Sequence, residues 1–152
     1  MVSRKSINEF LTLKRIAVVG VSRDPKQFAN MAYRLLKKHG YRVFPVNPFT
    51  GRAEGDQCYP TIKSLPETVD GVLIMLPPEK TVQILPEVEE AGIHHVWLQQ
   101  QTESPEAIRY CLDHGMNVVY GECILMFLEP VGFPHRLHRW GMKLLGKLPV
   151  EE

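Results

Sequence analysis

Apolar positions along this chain follow two alternating patterns. Residues 16–20, 42–46, 71–76, 95–98 and 117–120 are short, largely apolar runs with no in–out alternation, as expected of parallel strands covered on both faces. Between them apolar residues recur every three or four positions. Phe28, Met31, Ala32, Leu35 and Leu36 make one stripe and Ile108, Cys111 and Leu112 another, each predicting a helix with one buried side. Asp24-Pro25 and Ser104-Pro105 supply an N-cap followed by a proline suited to the first helical position, and Gly40 and Gly115 supply left-handed stops. Ser6 and Glu9 have capping-box spacing ahead of Phe10, Leu11 and Leu13, which predicts a short leading helix. A helix over 81–91 contains Pro86, which predicts either a kink or a fresh start there. Residues 47–56, with two glycines and a proline, read as a loop, and a short helix is expected near 62–65.

Strands alternating with helices at this spacing specify an α/β fold: a Rossmann-like, doubly wound parallel sheet of about five strands with helices on both faces. The domain is expected to span 1–130. Residues 131–152 then form a C-terminal helical tail, with Leu137, Trp140, Leu144 and Leu145 on one side and Arg136, Arg139, Lys143 and Lys147 carrying charge. At 152 residues the chain can bury a core without disulfide or metal. Its 18 Lys and Arg against 17 Asp and Glu give no global reason to expect nucleic acid as a partner. Three cysteines without a C-x-x-C pair read as reduced thiols, and the longest apolar run, 72–76, is far too short to span a bilayer. With no signal-peptide pattern, a cytoplasmic protein without membrane contact is the expectation.

In an open α/β sheet, ligands bind outside the carboxyl ends of the strands where the strand order reverses, so the exit of the first strand is the place to look. There Gly20 permits close backbone approach, Ser22 adds a hydroxyl, Arg23 adds a cation, and the following helix offers its amino terminus to an anion. The loop lacks the second and third glycines of the dinucleotide fingerprint. The second strand also ends in Asn47-Pro48, where an NAD enzyme would place an acid for the ribose. On the residues alone, an anion cradle and a plain strand-to-helix turn stand about even. No Walker loop, catalytic triad order or H-E-x-x-H motif occurs, and His135 and His138 have no neighbouring acidic or cysteine ligand, so no metal is expected.

Five segments in order, IAVVGVSRDP (16–25), HGYRVFPVNP (39–48), CYPTIKSLP (58–66), VWLQQ (96–100) and GECI (121–124), resemble the CoA-binding domain family. Members of that family also form the amino-terminal part of the succinyl-CoA synthetase alpha subunit and of related acyl-CoA synthetases. The resemblance implies coenzyme A, free or acylated, as the ligand. It implies Gly20 and Ser22 at the phosphate-binding turn, Arg42 as a cation for a phosphate, and Asn47 and Pro48 at the nucleotide end. Leu76, Pro77 and Pro78 would run beside the ligand, with Gln99 at the next strand exit, and Cys123 would lie near the mouth. The synthetases need further domains for their chemistry, so binding without catalysis is the expected role, with a homo-oligomer or a partner enzyme left open. The alternatives are a small NAD(P)-dependent oxidoreductase and an interaction protein working through its basic tail.

Overall fold

The five apolar runs form one parallel sheet in the computed structural model, which describes residues 2–128. In chain order the strands are β1 (Arg15–Val19), β2 (Arg42–Val46), β3 (Arg52–Ala53), β4 (Asp56–Gln57), β5 (Gly71–Ile74), β6 (His95–Leu98) and β7 (Asn117–Val119). The main sheet runs β2-β1-β5-β6-β7, with Ile16 opposite Val43 on one side and Gly71 on the other. The chain thus builds outward from β1 in both directions, as in doubly wound α/β proteins. The helices are α1 (Arg4–Leu11), α2 (Phe28–Lys38), α3 (Pro78–Glu90) and α4 (Pro105–Asp113).

Absence of alternation in the strands has its structural cause in two cores, one on each face. Ile16 and Val18 of β1 pack with Phe10 of α1 and Ala32, Tyr33 and Leu36 of α2, whereas Ala17 and Val19 pack with Leu85 and Val88 of α3 and Cys111 of α4. Trp97 is fully buried in the first core. Its ring meets Phe10 and Phe127 edge-on, at centroid distances of 5.3 and 5.8 Å, and its Nε1–H donates to the Glu122 carbonyl at 3.1 Å. One side chain therefore ties α1, the sheet and the segment after β7 together.

Several local expectations shift. Ser3, not Ser6, caps α1: its hydroxyl accepts the Ser6 amide at 3.0 Å, so Ser6 lies inside the first turn. α2 starts at Phe28 rather than Pro25, because Asp24 caps a tight turn instead, its Oδ1 accepting the Lys26 amide at 2.9 Å. The buried side of α2 is Ala29, Asn30, Ala32, Tyr33 and Leu36, rotated from the expected stripe; Phe28 is exposed and Met31 and Leu35 are half-buried. α3 begins three residues early, with Pro78 in its first turn, and continues through Pro86 as one helix. Ser104 caps α4 as anticipated, accepting the Ala107 amide at 3.1 Å.

The expected loop 47–56 contains a small antiparallel hairpin, β3 and β4, turning on Glu54 and Gly55, both with positive φ (52° and 80°). Two successive left-handed residues are the geometry of the tightest hairpin turns, where Asn-Gly is the usual sequence. Glu54 tolerates it because its carboxylate is held by Arg34 at 2.8 Å and by Asn30 at 2.8 Å. Beyond the hairpin, Tyr59 lies along the outer edge of β2: its amide donates to the Pro45 carbonyl and its carbonyl accepts the Asn47 amide, both at 2.9 Å. The helical tail expected at 131–152 lies outside the described residues. Among those described, no helix is long and apolar enough to cross a membrane.

Truncating Trp97 removes the side chain on which three elements converge. Trp97→Ala is expected to lower unfolding free energy by about 3–5 kcal/mol, read as a reduced urea midpoint at unchanged slope.

Candidate functional site

Strand order places a crevice above the carboxyl ends of β1 and β5. The exit of β1 leads to α2 on one face and the exit of β5 leads to α3 on the other, so the two loops part company there. Gly20 occupies the divide. Its amide donates to the Val46 carbonyl at 3.0 Å, its φ is +112°, and a Cβ at this position would lie 2.4 Å from the Met75 carbonyl oxygen. Position 20 must therefore be glycine, and the chain leaves β1 as bare backbone.

Past Gly20 the loop is shaped by Asn30, a fully buried amide on α2. Its Oδ1 accepts the Ser22 amide at 2.9 Å, and its Nδ2 donates to the Ser22 carbonyl and to Glu54, both at 2.8 Å. The Ser22 hydroxyl in turn accepts the Asp24 amide at 3.1 Å. The amides of Val21, Arg23, Phe28 and Ala29 are left without a hydrogen bond among the described residues. The Phe28 and Ala29 amides, unused donors at the start of an 11-residue helix, make an anion-accepting end, and those of Val21 and Arg23 lie in the loop before it. The exposed Arg23 side chain has no ion-pair partner among the described residues and adds positive charge beside them.

At the exit of β2, Asn47 spans two loops. Its Nδ2 donates to the Val21 carbonyl at 2.9 Å and its Oδ1 accepts the Phe49 amide at 2.8 Å. An Asp or Glu here would set a carboxylate against the Val21 carbonyl with no hydrogen to offer, so the acid of a dinucleotide site is excluded by the loop's own bonding. Pro48 beside it is exposed. At the exit of β5 the half-buried Leu76 carbonyl accepts the buried Thr81 hydroxyl at 3.1 Å, and Pro77 and Pro78 open α3. Two prolines have no amide hydrogens, and the Lys80 amide is used by the Pro77 carbonyl at 3.0 Å, so α3 presents only the Glu79 amide at its amino end. Of the two helix termini flanking the crevice, that of α2 is the one equipped for an anion.

Eight of the ten expected positions, Gly20, Ser22, Arg23, Asn47, Pro48, Leu76, Pro77 and Pro78, gather at this edge. Gln99 lies at the same edge, but its side chain is buried and its Oε1 accepts the Ile124 amide at 3.1 Å, so it fastens the chain beyond β7 instead of facing the crevice. Arg42 is a correction. It opens β2 at the opposite end of the sheet, about 13 Å of strand away from Val46, with its guanidinium on the Glu67 carboxylate at 2.6 and 2.8 Å. Sequence reasoning missed Asn30 and Glu54. Asn30 lies off the expected apolar stripe of α2 and nothing local marks it or Glu54.

Two of the three cysteines are chemically quiet. Burial pushes the Cys111 thiol up to about 12 and raises that of Cys58 as well. Cys123 is half-buried where the chain leaves β7, beside Glu122, whose carboxyl is raised by burial. No three His, Cys, Asp or Glu side chains among the described residues group as metal ligands.

Residues 14–129 match the family described as the CoA binding domain. The chain belongs to that family. It is 30% identical over 123 residues to the uncharacterized protein YneT of Bacillus subtilis, covering 80% of this chain and 91% of that one. It is 27% identical over 129 residues to the alpha subunit of the ADP-forming acetate–CoA ligase II of Pyrococcus furiosus, covering 78% of this chain. The chain spans only 28% of that subunit. A conserved hypothetical protein from Pyrococcus furiosus has a similar solved structure, with TM-score 0.69 and 35% identity over 73% of this chain and 96% of that one. These likenesses agree with the Rossmann-like α/β architecture described above.

The Asn30–Glu54–Arg34 bridge makes the loop sensitive to acid. The Arg34 hydrogen bond foremost, then that of Asn30, holds the Glu54 carboxyl below its ordinary value of 4.5. A carboxyl depressed on folding stabilises the folded form above its ordinary value, and that contribution is lost as pH falls through the depressed value. Glu54→Gln is therefore expected to lower the melting temperature at pH 7, with the deficit shrinking below the ordinary carboxyl value and vanishing only once pH has fallen through the depressed one. Asn30→Asp replaces a donor with a carboxylate facing both the Ser22 carbonyl and Glu54. It is expected to cost about 2–3 kcal/mol at neutral pH, measured by denaturant unfolding, with the deficit shrinking in acid.

Proposed function

We propose that this chain binds coenzyme A, free or acylated, in the crevice above β1 and β5. The observation that carries the proposal is the exit of β1. There a glycine forced by the Met75 carbonyl leads bare backbone into a loop carrying Arg23, without an ion-pair partner among the described residues, and on to the unused Phe28 and Ala29 amides at the start of α2. Coenzyme A carries a pyrophosphate, which is what such a terminus receives. Membership of the CoA binding domain family and the likeness to an acetate–CoA ligase subunit support the same ligand. The residues proposed to face it are Gly20, Ser22, Arg23, Asn47, Pro48, Leu76, Pro77 and Pro78. Gln99 and Arg42 are left out because their side chains are engaged elsewhere.

In this reading the domain holds the cofactor, and any acyl-transfer chemistry belongs to a partner chain. When bound, coenzyme A would supply a thiol for carrying an acyl group. The protein's own groups bind and orient it: amides and Arg23 at the phosphates, Asn47 setting the distance between the exits of β1 and β2. Its free thiols suit the reducing cytoplasm.

A ligand that binds only the folded form stabilises it by about 2.7 kcal/mol when present at a hundred times its dissociation constant. Coenzyme A and acetyl-CoA are accordingly expected to raise the melting temperature, and NAD and NADP to leave it unchanged. Stabilisation by NAD with none by coenzyme A would overturn the proposal.

A further inference from the structure

Away from the crevice, a cavity of about 310 Å³ opens along the outer edge of β2, walled by Tyr33 and Lys37 of α2, Asp56 of β4, and Arg42, Phe44 and Tyr59. Residues of β2 alternate in the direction of their backbone groups. The Arg42 amide donates to the Lys14 carbonyl at 2.8 Å and the Val46 carbonyl accepts the Gly20 amide at 3.0 Å, so even-numbered residues face β1. Odd-numbered residues face outward, where Tyr59 takes the Pro45 carbonyl and the Asn47 amide. Val43, half-buried in the cavity wall, turns its amide and carbonyl the same way, and neither has a hydrogen-bond partner among the described residues. The charged groups around it each keep an atom in reserve. Asp56 Oδ2 takes the Tyr33 hydroxyl at 2.5 Å and the Lys37 ammonium at 2.7 Å, leaving Oδ1 without a partner among the described residues. Those two bonds, Lys37 foremost, hold the Asp56 carboxyl below its ordinary value, so it is charged at neutral pH. Arg42 engages Glu67 through Nε and Nη2 and leaves Nη1, and Lys37 has hydrogens left beyond the one given to Asp56.

We infer that this cavity binds a free α-amino acid, laid against Val43 as one residue of an antiparallel pair. In such a pair the two residues exchange both backbone hydrogen bonds, and a free amino acid carries its nitrogen and oxygen at the same covalent spacing as a residue. Its ammonium donates to the Val43 carbonyl and to Asp56 Oδ1. Its carboxylate accepts the Val43 amide and lies toward Arg42, the preceding residue, within the field of Lys37. Neither existing ion pair has to break. What remains for the ligand's side chain is the wall of Phe44 and Tyr59, whose rings meet edge-on at 6.3 Å between centroids, so an apolar side chain such as that of leucine suits it. The volume falls at the lower end of the range for small-molecule sites, about 300–1,000 Å³, which matches an amino acid better than a nucleotide cofactor. The site is separate from the crevice above β1 and β5 and does not depend on coenzyme A.

Titration of the full chain with leucine, phenylalanine, N-acetyl-leucine, leucinamide and the dipeptide leucyl-leucine, followed by amide NMR and calorimetry, tests this. Leucine is expected to shift the Val43 amide resonance and slow its hydrogen exchange. N-acetyl-leucine, which lacks the ammonium, and leucinamide, which lacks the carboxylate, are each expected to bind about tenfold or more weakly. Asp56→Asn is expected to weaken leucine and leave the weaker binding of N-acetyl-leucine unchanged, a contrast that mere loosening of the hairpin would not produce. Equal binding of leucine and N-acetyl-leucine overturns the inference. So does a Val43 amide that neither leucine nor phenylalanine perturbs. Protection of that amide by the dipeptide with none by the free amino acids overturns it as well, and assigns the edge to an extended segment of another chain.

Discussion

The Met75 carbonyl occupies the space that a side chain at position 20 would need. Because β1 and β5 are neighbours in register, the two exits are pressed together before their loops turn to opposite faces of the sheet, and the contact cannot be relaxed without breaking the pairing of Val19 with Ile74. A close-packed sheet leaves no room for compromise there. Glycine at this point lets α2 and α3 diverge, and the divergence is the crevice. Asn30 and Asn47 fix the loop on either side of that opening, and the prolines that open α3 withhold donors from the competing terminus.

The site is built mainly from amides that hold backbone, and few charged groups are committed to it. Asn30 satisfies one donor and one acceptor of Ser22, and Asn47 does the same for Phe49 and Val21. A carboxamide can donate and accept at once, which a carboxylate cannot. This explains why position 47 is asparagine in a place where a dinucleotide enzyme carries an acid. The reason is the geometry of this loop and is independent of any ligand.

Much of the fold was legible because strands buried on both faces leave uninterrupted apolar runs and because capped helices announce their starts. β6 and the Ser104 cap came out as read. What was not legible depended on partners distant in sequence. Asp24 looked like a helix cap, but its carboxylate closes a turn by accepting the Lys26 amide, and the helix starts only at Phe28. The hairpin of β3 and β4 turns on Glu-Gly, which carries weak turn chemistry until Arg34 and Asn30 clamp the glutamate. Eight of the expected site positions lie at the carboxyl edge of the sheet to which the strand-exit rule and family resemblance pointed. Arg42, expected from the family resemblance, opens β2 at the opposite end of the sheet, since a resemblance of segments does not say at which end a residue lies. Gln99 was at the right edge with its side chain turned to a structural task.

The outer margin of β2 has a bearing on how this domain can associate. A sheet's last strand ordinarily offers a row of unpaired donors and acceptors to any passing chain. Here Pro45 has no hydrogen to give, and its carbonyl and the Asn47 amide are already taken by Tyr59 of the same molecule. The carboxyl half of that strand is thus closed to extension by a second sheet. Copies or partner subunits that approach the crevice from this side must do so through side chains and loops, and they can come and go without competing for the backbone that holds the fold together.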